Sequence, residues 1–164
     1  MRDVVIGCDE AGFNLKRVLI KTLRDLGAEV EDLGVDRGND MTAYPLIAAR
    51  VCTRIIEGAY QKRGVLICGT GIGMCISANK FKGIRAAVCH DIFSARRSIL
   101  SNNCNVACFG ERVIGAELAK AILADWADLE FKDGLSTAKV AEINRLEEEH
   151  FAPPPLENKT TKYY

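Results

Sequence analysis

The stretch Val65-Leu-Ile-Cys-Gly-Thr-Gly-Ile-Gly73 most restricts what this chain can become. A short apolar run ends at a cysteine, opens into a glycine-rich turn and feeds the amphipathic Met74–Phe81. That order describes a buried strand handing a loop to the N-terminus of a helix. Backbone N–H groups of such a loop converge on one point, where the helix dipole favours negative charge. Cys68 then falls at the carboxyl end of the strand, the ligand-binding edge of an open α/β sheet. A thiol, the Thr70 hydroxyl and a nest of amides together suit an oxyanion. Glycine-rich strand-to-helix turns also serve close packing alone, and buried cysteines are often inert. The rest of the chain decides.

The same grammar recurs along the sequence. Val4–Gly7 is a short apolar strand, after which Leu15, Val18, Leu19, Thr22, Leu23 and Leu26 recur at helical spacing until Gly27. Ala28–Leu33 alternates as a second strand, and Gly34–Thr42 is a polar loop. Tyr44-Pro45 starts a second helix with Ile47, Ala48, Val51, Ile55 and Ile56 inward, its proline in the favoured first turn. Gly64–Cys68 reads as strand three, Gly71–Phe81 as a helix and Ile84–Val88 as strand four. Ile92–Leu100 is a helix, Asn105–Phe109 strand five, and Gly115–Ala127 and Ser136–Glu149 the last helices. Strands alternating with helices predict an α/β fold: one domain with a doubly wound, five-stranded parallel sheet of Rossmann-like kind. Residues 1–150 form that domain. Residues 151–164, with Ala152-Pro-Pro-Pro155, form a Pro-rich tail that is either extended on a neighbour or disordered.

Composition removes several classes. A chain of 164 residues is long enough for one real core. Lysine plus arginine equals aspartate plus glutamate at 22 each, and a zero net charge argues against general polyanion binding. No stretch approaches a membrane span, and Met1-Arg-Asp-Val-Val-Ile-Gly7 lacks a signal-peptide core. Seven cysteines, an odd number, lie scattered along strands and helices, and none has zinc spacing with another cysteine or with His90 or His150. A reduced cytoplasmic setting and no metal are the economical expectations.

In such a sheet the residues just past each strand gather at one edge. Four stretches qualify: Cys8-Asp9-Glu10, the Cys68 loop, His90-Asp91 and Gly110-Glu-Arg112. Ser101-Asn-Asn-Cys-Asn105 enters strand five from the opposite end, unless the preceding helix is short and the loop folds back. The inventory holds no Ser-His-Asp set, no distal acid of a dinucleotide fingerprint and no Walker lysine. What remains fits proton abstraction beside a carbonyl, with amides stabilising the enediolate.

The chain resembles the ribose-5-phosphate isomerase B / galactose-6-phosphate isomerase family of sugar-phosphate isomerases. The resemblance runs from Val4 to about Val140 and rests on Gly7-Cys-Asp-Glu-Ala-Gly-Phe13, Ile67-Cys-Gly-Thr-Gly-Ile-Gly73, Ser77-Ala-Asn-Lys-Phe-Lys-Gly-Ile-Arg85 and Gly110-Glu-Arg-Val-Ile-Gly115. Tyr44-Pro45, Cys89-His-Asp91, Ser94-Ala-Arg96 and Asn105-Val add to it. It implies a cofactor-free aldose–ketose isomerase, an intramolecular oxidoreductase. It also implies homodimers that often pair into tetramers, with sites at the subunit interface and the C-terminal helix packing on the dimer partner. Cys68 resembles the base that moves a proton between C1 and C2, Asp9 the acid at the sugar hydroxyls and Tyr44 a wall of the pocket. Thr70 and the amides of Gly69, Gly71, Ile72 and Gly73 would hold the enediolate. Asn102 corresponds to an asparagine near the sugar oxygens and Arg112 to an arginine that meets the phosphate. A free thiol near pKa 8.5 is only a few per cent thiolate at neutral pH, so a helix N-terminus beside it has a chemical purpose.

The departures concentrate on the far rim. The family's histidine after the aspartate is Glu10, its ring-opening histidine is Ser101, and two phosphate-clamping arginines fall at Leu135 and Lys139. Two like unit charges at about 4 Å repel by roughly 4 kcal/mol at an effective dielectric near 20, so a phosphate beside ionised Glu10 needs Arg112 and Lys139 to offset it. Losing the ring-opener is harmless for four-carbon sugar phosphates, which cannot close a ring, and family branches acting on tetrulose phosphates look similar there. Alternatively the phosphate is held elsewhere or absent. Arg96 and Arg97 could supply an anion contact or merely face solvent, and His90 could replace the missing histidine or pack. Cys8 is the one other cysteine expected near the pocket. A non-catalytic or heteromeric sugar-binding subunit is the competing class, and retention of Asp9, Cys68 and Thr70 together weighs against it.

Overall fold

Apolar runs too short for helices, each bounded by glycine or polar turns, become the strands. The computed structural model describes residues 2–151. β1 (Val4–Cys8), β2 (Val30–Asp32), β3 (Arg63–Cys68), β4 (Ala86–Val88) and β5 (Val106–Gly110) form one sheet ordered β2-β1-β3-β5-β4. Every neighbouring pair is parallel. The three inner strands are buried throughout, as strands covered on both faces must be.

The helices are α1 (Phe13–Asp25), α2 (Tyr44–Glu57), α3 (Ile72–Ala78), α4 (Ile92–Asn102), α5 (Ala116–Asp128) and α6 (Thr137–His150). α1 and α4 both pack on α5, whereas α2 packs on α3. With right-handed crossovers the two groups cover opposite faces of the sheet. Apolar stripes drive this: Leu15, Leu19 and Leu23 on α1, and Ile47, Val51 and Ile55 on α2, are buried. Beneath α5 the buried Arg63 donates to the carbonyls of Trp126, Ala127 and Leu129, with its guanidinium 5.1 Å from the Trp126 ring centroid. A cation thus closes the carboxyl end of that helix.

The strand order reverses between β1 and β3, the switch point at which open sheets bind ligands. Register makes this concrete. Cys8 lies beside Ile67 and Cys68 beside Gly110, so the chain leaves β1, β3 and β5 side by side.

Several boundaries differ from the periodicity. The edge strands β2 and β4 begin at Val30 and Ala86, later than alternation suggests. α3 stops at Ala78 because Asn79 turns back, its carboxamide accepting from Ala86 N–H at 2.8 Å and donating to Ala86 O at 3.0 Å. α4 runs past Leu100 to Asn102 and ends on left-handed Asn103, φ 50°. Leu26, expected inward, follows the end of α1 and is exposed. Within this chain α6 packs on α4, with Val140 buried and the Glu147 carboxylate accepting from Gly83 N–H at 2.9 Å. The Pro-rich tail from Ala152 lies outside the described residues.

Candidate active site

At the end of β3 the backbone turns sharply over its own cysteine. Gly71 N–H donates to Cys68 Sγ at 3.1 Å, and Gly71 takes φ +77°, a conformation glycine adopts without steric cost. A side chain at Gly71 would also meet the Phe109 backbone at 3.0 Å. Thr70 is exposed at the tip, its Oγ1 accepting from Ile72 N–H at 3.4 Å. Cys68 itself is 6% exposed.

Neighbouring strand ends complete the group. Asp9, also 6% exposed, accepts from Ala11 N–H at 3.1 Å and caps the single 3₁₀ turn Glu10–Gly12. Burial first, and the adjacent Glu10 carboxylate second, hold the Asp9 carboxyl above its ordinary value, against a pull downward from Arg112. A buried carboxyl with a raised pKa can carry a proton at a pH where exposed aspartates cannot. Arg112 lies over Gly69, where a side chain would meet its Cδ and Nη1 at 3.4 Å. Two bonds bind that loop to the cysteine loop: Glu111 N–H to Cys68 O at 2.9 Å and Arg112 N–H to Gly69 O at 3.0 Å. Tyr44, at the start of α2, lays its ring on Gly73, where a Cβ would come within 2.7 Å of Cε2. Asp9, Glu10, Tyr44, Cys68, Gly69, Thr70, Gly71, Ile72, Gly73 and Arg112 are therefore gathered at one edge.

Other expected members are elsewhere in this chain. Asn102 ends α4 on the amino side of β5, the opposite end of the sheet from Cys68. It lines a groove of about 600 Å³ with Arg97, Ile143 and Glu147. The extra helical length of α4 rules out the folded-back loop. Lys139 is exposed in the first turn of α6, which packs on α4 and bonds the Lys82-Gly83 turn. Cys8 does not line the pocket: it is fully buried, and burial pushes its thiol up to about 12. Arg96 pairs with Asp125 at 3.4 Å and Arg97 donates to Ser101 Oγ, so neither reaches the cysteine loop. His90 Nε2 accepts from Gly110 N–H at 2.9 Å, and burial lowers its pKa against Asp91, which makes it a neutral acceptor that fixes Gly110. Among the described residues, no three of His, Cys, Asp and Glu are grouped to hold a metal ion.

Glu111 has a role that no local sequence pattern predicts. Its carboxylate accepts from Leu15 N–H at 2.8 Å and from Asn14 Nδ2 at 3.2 Å, at the start of α1. The available signal was an absence: Gly12-Phe13-Asn14 opens a helix with no Ser, Thr, Asp or Asn at its cap.

Fold and site together define a doubly wound α/β protein with a thiol and a carboxyl at its switch point. The chain belongs to the Ribose/Galactose Isomerase family, whose pattern matches residues 4–143. It is 50% identical over 143 residues to D-erythrulose-4-phosphate isomerase 2 of Mycolicibacterium smegmatis, covering 85% of this chain and 93% of that protein. It is 46% identical over 147 residues to D-erythrulose-4-phosphate isomerase of Pectobacterium atrosepticum, covering 90% and 96%. The structure of Clostridium thermocellum ribose-5-phosphate isomerase B superposes with a TM-score of 0.85 at 39% identity, covering 90% of this chain and 99% of that one.

Proposed function

We propose that this protein interconverts an aldose and a ketose phosphate, with a four-carbon substrate preferred. The observation that carries the reading is the Gly71 N–H on Cys68 Sγ, on a strand end flanked by Asp9 and Arg112. The Cys68 thiolate removes the proton from the carbon beside the carbonyl. The enediolate oxygens are held by the amides of the Gly69–Gly73 loop other than Gly71, whose N–H faces sulfur, and by the Thr70 hydroxyl. The thiol returns the proton to the neighbouring carbon, while the Asp9 carboxyl moves a proton between the sugar oxygens. Arg112 meets the phosphate. Two relatives named as erythrulose-4-phosphate isomerases support four carbons, and Ser101 in place of a ring-opening histidine agrees with an open-chain substrate.

Asn102 and Lys139 join this site only from a second copy, since each chain holds Asn102 at the far end of its own sheet. We therefore propose a homodimer or tetramer with the site at the interface. The seven free cysteines fit a reduced cytoplasmic setting, and among the described residues no helix is long and apolar enough to cross a membrane.

The test is solvent-deuterium incorporation into aldose and ketose phosphates of four to six carbons, with unphosphorylated controls. The largest kcat/KM is expected for the four-carbon ketose phosphate. A larger value for a pentose phosphate removes the chain-length assignment. Exchange into none of them favours the non-catalytic subunit.

A further inference from the structure

α1 begins without a cap of its own. Its N-cap residue, Gly12, offers no side chain to the first turn. Nor can it carry one, because a Cβ there would stand 2.6 Å from Ile67 Cγ2 and 2.8 Å from the Ile67 carbonyl. That close approach seats the Asp9 turn against the end of β3. A helix start leaves several N–H groups unsatisfied, and the usual remedy is a Ser, Thr, Asp or Asn at the cap. Here it comes from 96 residues along the chain, where Glu111 Oε2 accepts from Leu15 N–H at 2.8 Å. Oε1 takes the Asn14 carboxamide at 3.2 Å. The carboxylate also stands at the positive end of the helix dipole. Meanwhile the Glu111 backbone N–H holds Cys68 O at 2.9 Å. One residue therefore grips both halves of the site, its backbone on the cysteine loop and its side chain on the helix that follows Asp9.

We infer that Glu111 is a positioning residue that sets the Asp9 carboxyl against the Cys68 thiol by capping α1 across the fold, an inference that rests on the isomerase reading above. With the cap removed, the Asp9 turn keeps its bond from Asp9 N–H to Ile67 O, at 3.3 Å, but loses its tie to the β5 loop. Misplacement of a catalytic group by about 1 Å is worth on the order of 10²-fold in rate.

The experiment compares Glu111→Ala, Glu111→Gln and Glu111→Asp by kcat, KM and hydrogen exchange at the Leu15 amide. Glutamine keeps an acceptor at the same reach without the charge. Aspartate keeps the charge but is one methylene short. Positioning predicts that alanine lowers kcat by about 10- to 100-fold with KM within about threefold, that glutamine recovers most of this and that aspartate recovers little. Leu15 exchange accelerates in the alanine and aspartate variants. Unchanged kcat with only a lower melting temperature overturns the inference, and so does better rescue by aspartate than by glutamine. If the wild-type protein turns over no sugar phosphate, the isomerase reading fails instead. Leu15 exchange then still decides the clamp, and unchanged protection in Glu111→Ala overturns it.

Discussion

The two ends of the sheet differ in the balance of close packing and side-chain hydrogen bonds, although Gly83 at the amino edge also sits against the Tyr60 ring. At the carboxyl edge, backbone meets backbone or ring with no room for a Cβ: Gly12 on Ile67, Gly71 on Phe109, Gly110 on Thr70 and Gly73 on Tyr44. At the amino edge, side chains reach across to the turn backbone. Asn105 accepts from Arg85 N–H at 2.9 Å and donates to Gly83 O at 2.8 Å. The Tyr60 hydroxyl donates to Lys82 O at 3.1 Å, and Asn79 serves both polar groups of Ala86. The difference has a chemical cause. Gly71 can turn its N–H onto Cys68 Sγ only because it takes a left-handed φ and lies against the Phe109 backbone, so close packing shapes that loop. The amino edge is tied off by the Asn79 and Asn105 carboxamides and the Tyr60 hydroxyl.

The largest expected effect belongs to the reacting atom. Cys68→Ser should lower kcat by ~10²–10⁴-fold while the affinity for the preferred sugar phosphate, measured by calorimetry, stays within a few-fold. An unchanged kcat would sink the proton-transfer role. Next comes the packing that shapes the loop. In Gly110→Ala the new Cβ would lie 2.6 Å from the Thr70 carbonyl carbon, and backbone cannot swing aside as a side chain does. We expect a loss of about 1–3 kcal/mol in denaturant unfolding, together with a drop in kcat of at least about tenfold if the displaced loop carries the proposed oxyanion amides. Full activity in that variant would mean the loop adapts, and the contrast between the two edges would lose its steric half.

How much of this was legible depends on distance along the chain. Cys68 ends a strand, and Asp9 and Arg112 stand one and two residues beyond one, so the strand ends place all three. The buried stripes of α1 and α2 follow from residues three and four apart. Asn102 went the other way, because its place depends on where α4 ends, and a left-handed Asn103 decides that end. His90 was open between two roles until the Gly110 N–H was seen on its ring. Glu111 was illegible as a cap because its partners Asn14 and Leu15 become neighbours only when β1 and β5 flank β3. The same holds for buried Lys16, whose bonds to Asp32 and to Val35 O need β2 beside β1. Periodicity reports burial, not which polar groups meet.

The smallest effect should come from the amino edge, and it is the sharper test of the contrast. β4 is an edge strand: without Asn79 the outward-facing Ala86 N–H would be left to water, while its C=O would keep only the Cys75 Sγ contact at 3.4 Å. Each such bond is worth about 0.5–1.5 kcal/mol net, and less where solvent can take over. Asn79 is exposed, so Asn79→Ala should cost only about 1 kcal/mol in unfolding free energy. Because Asn79 follows α3 at the end remote from Gly71, kcat and KM should stay at wild-type values. A tenfold fall in kcat with the same small stability loss would show that α3 transmits the state of its far end to the cysteine loop. The two edges would then be one mechanical unit, and the tied-off end would matter to chemistry at the open one.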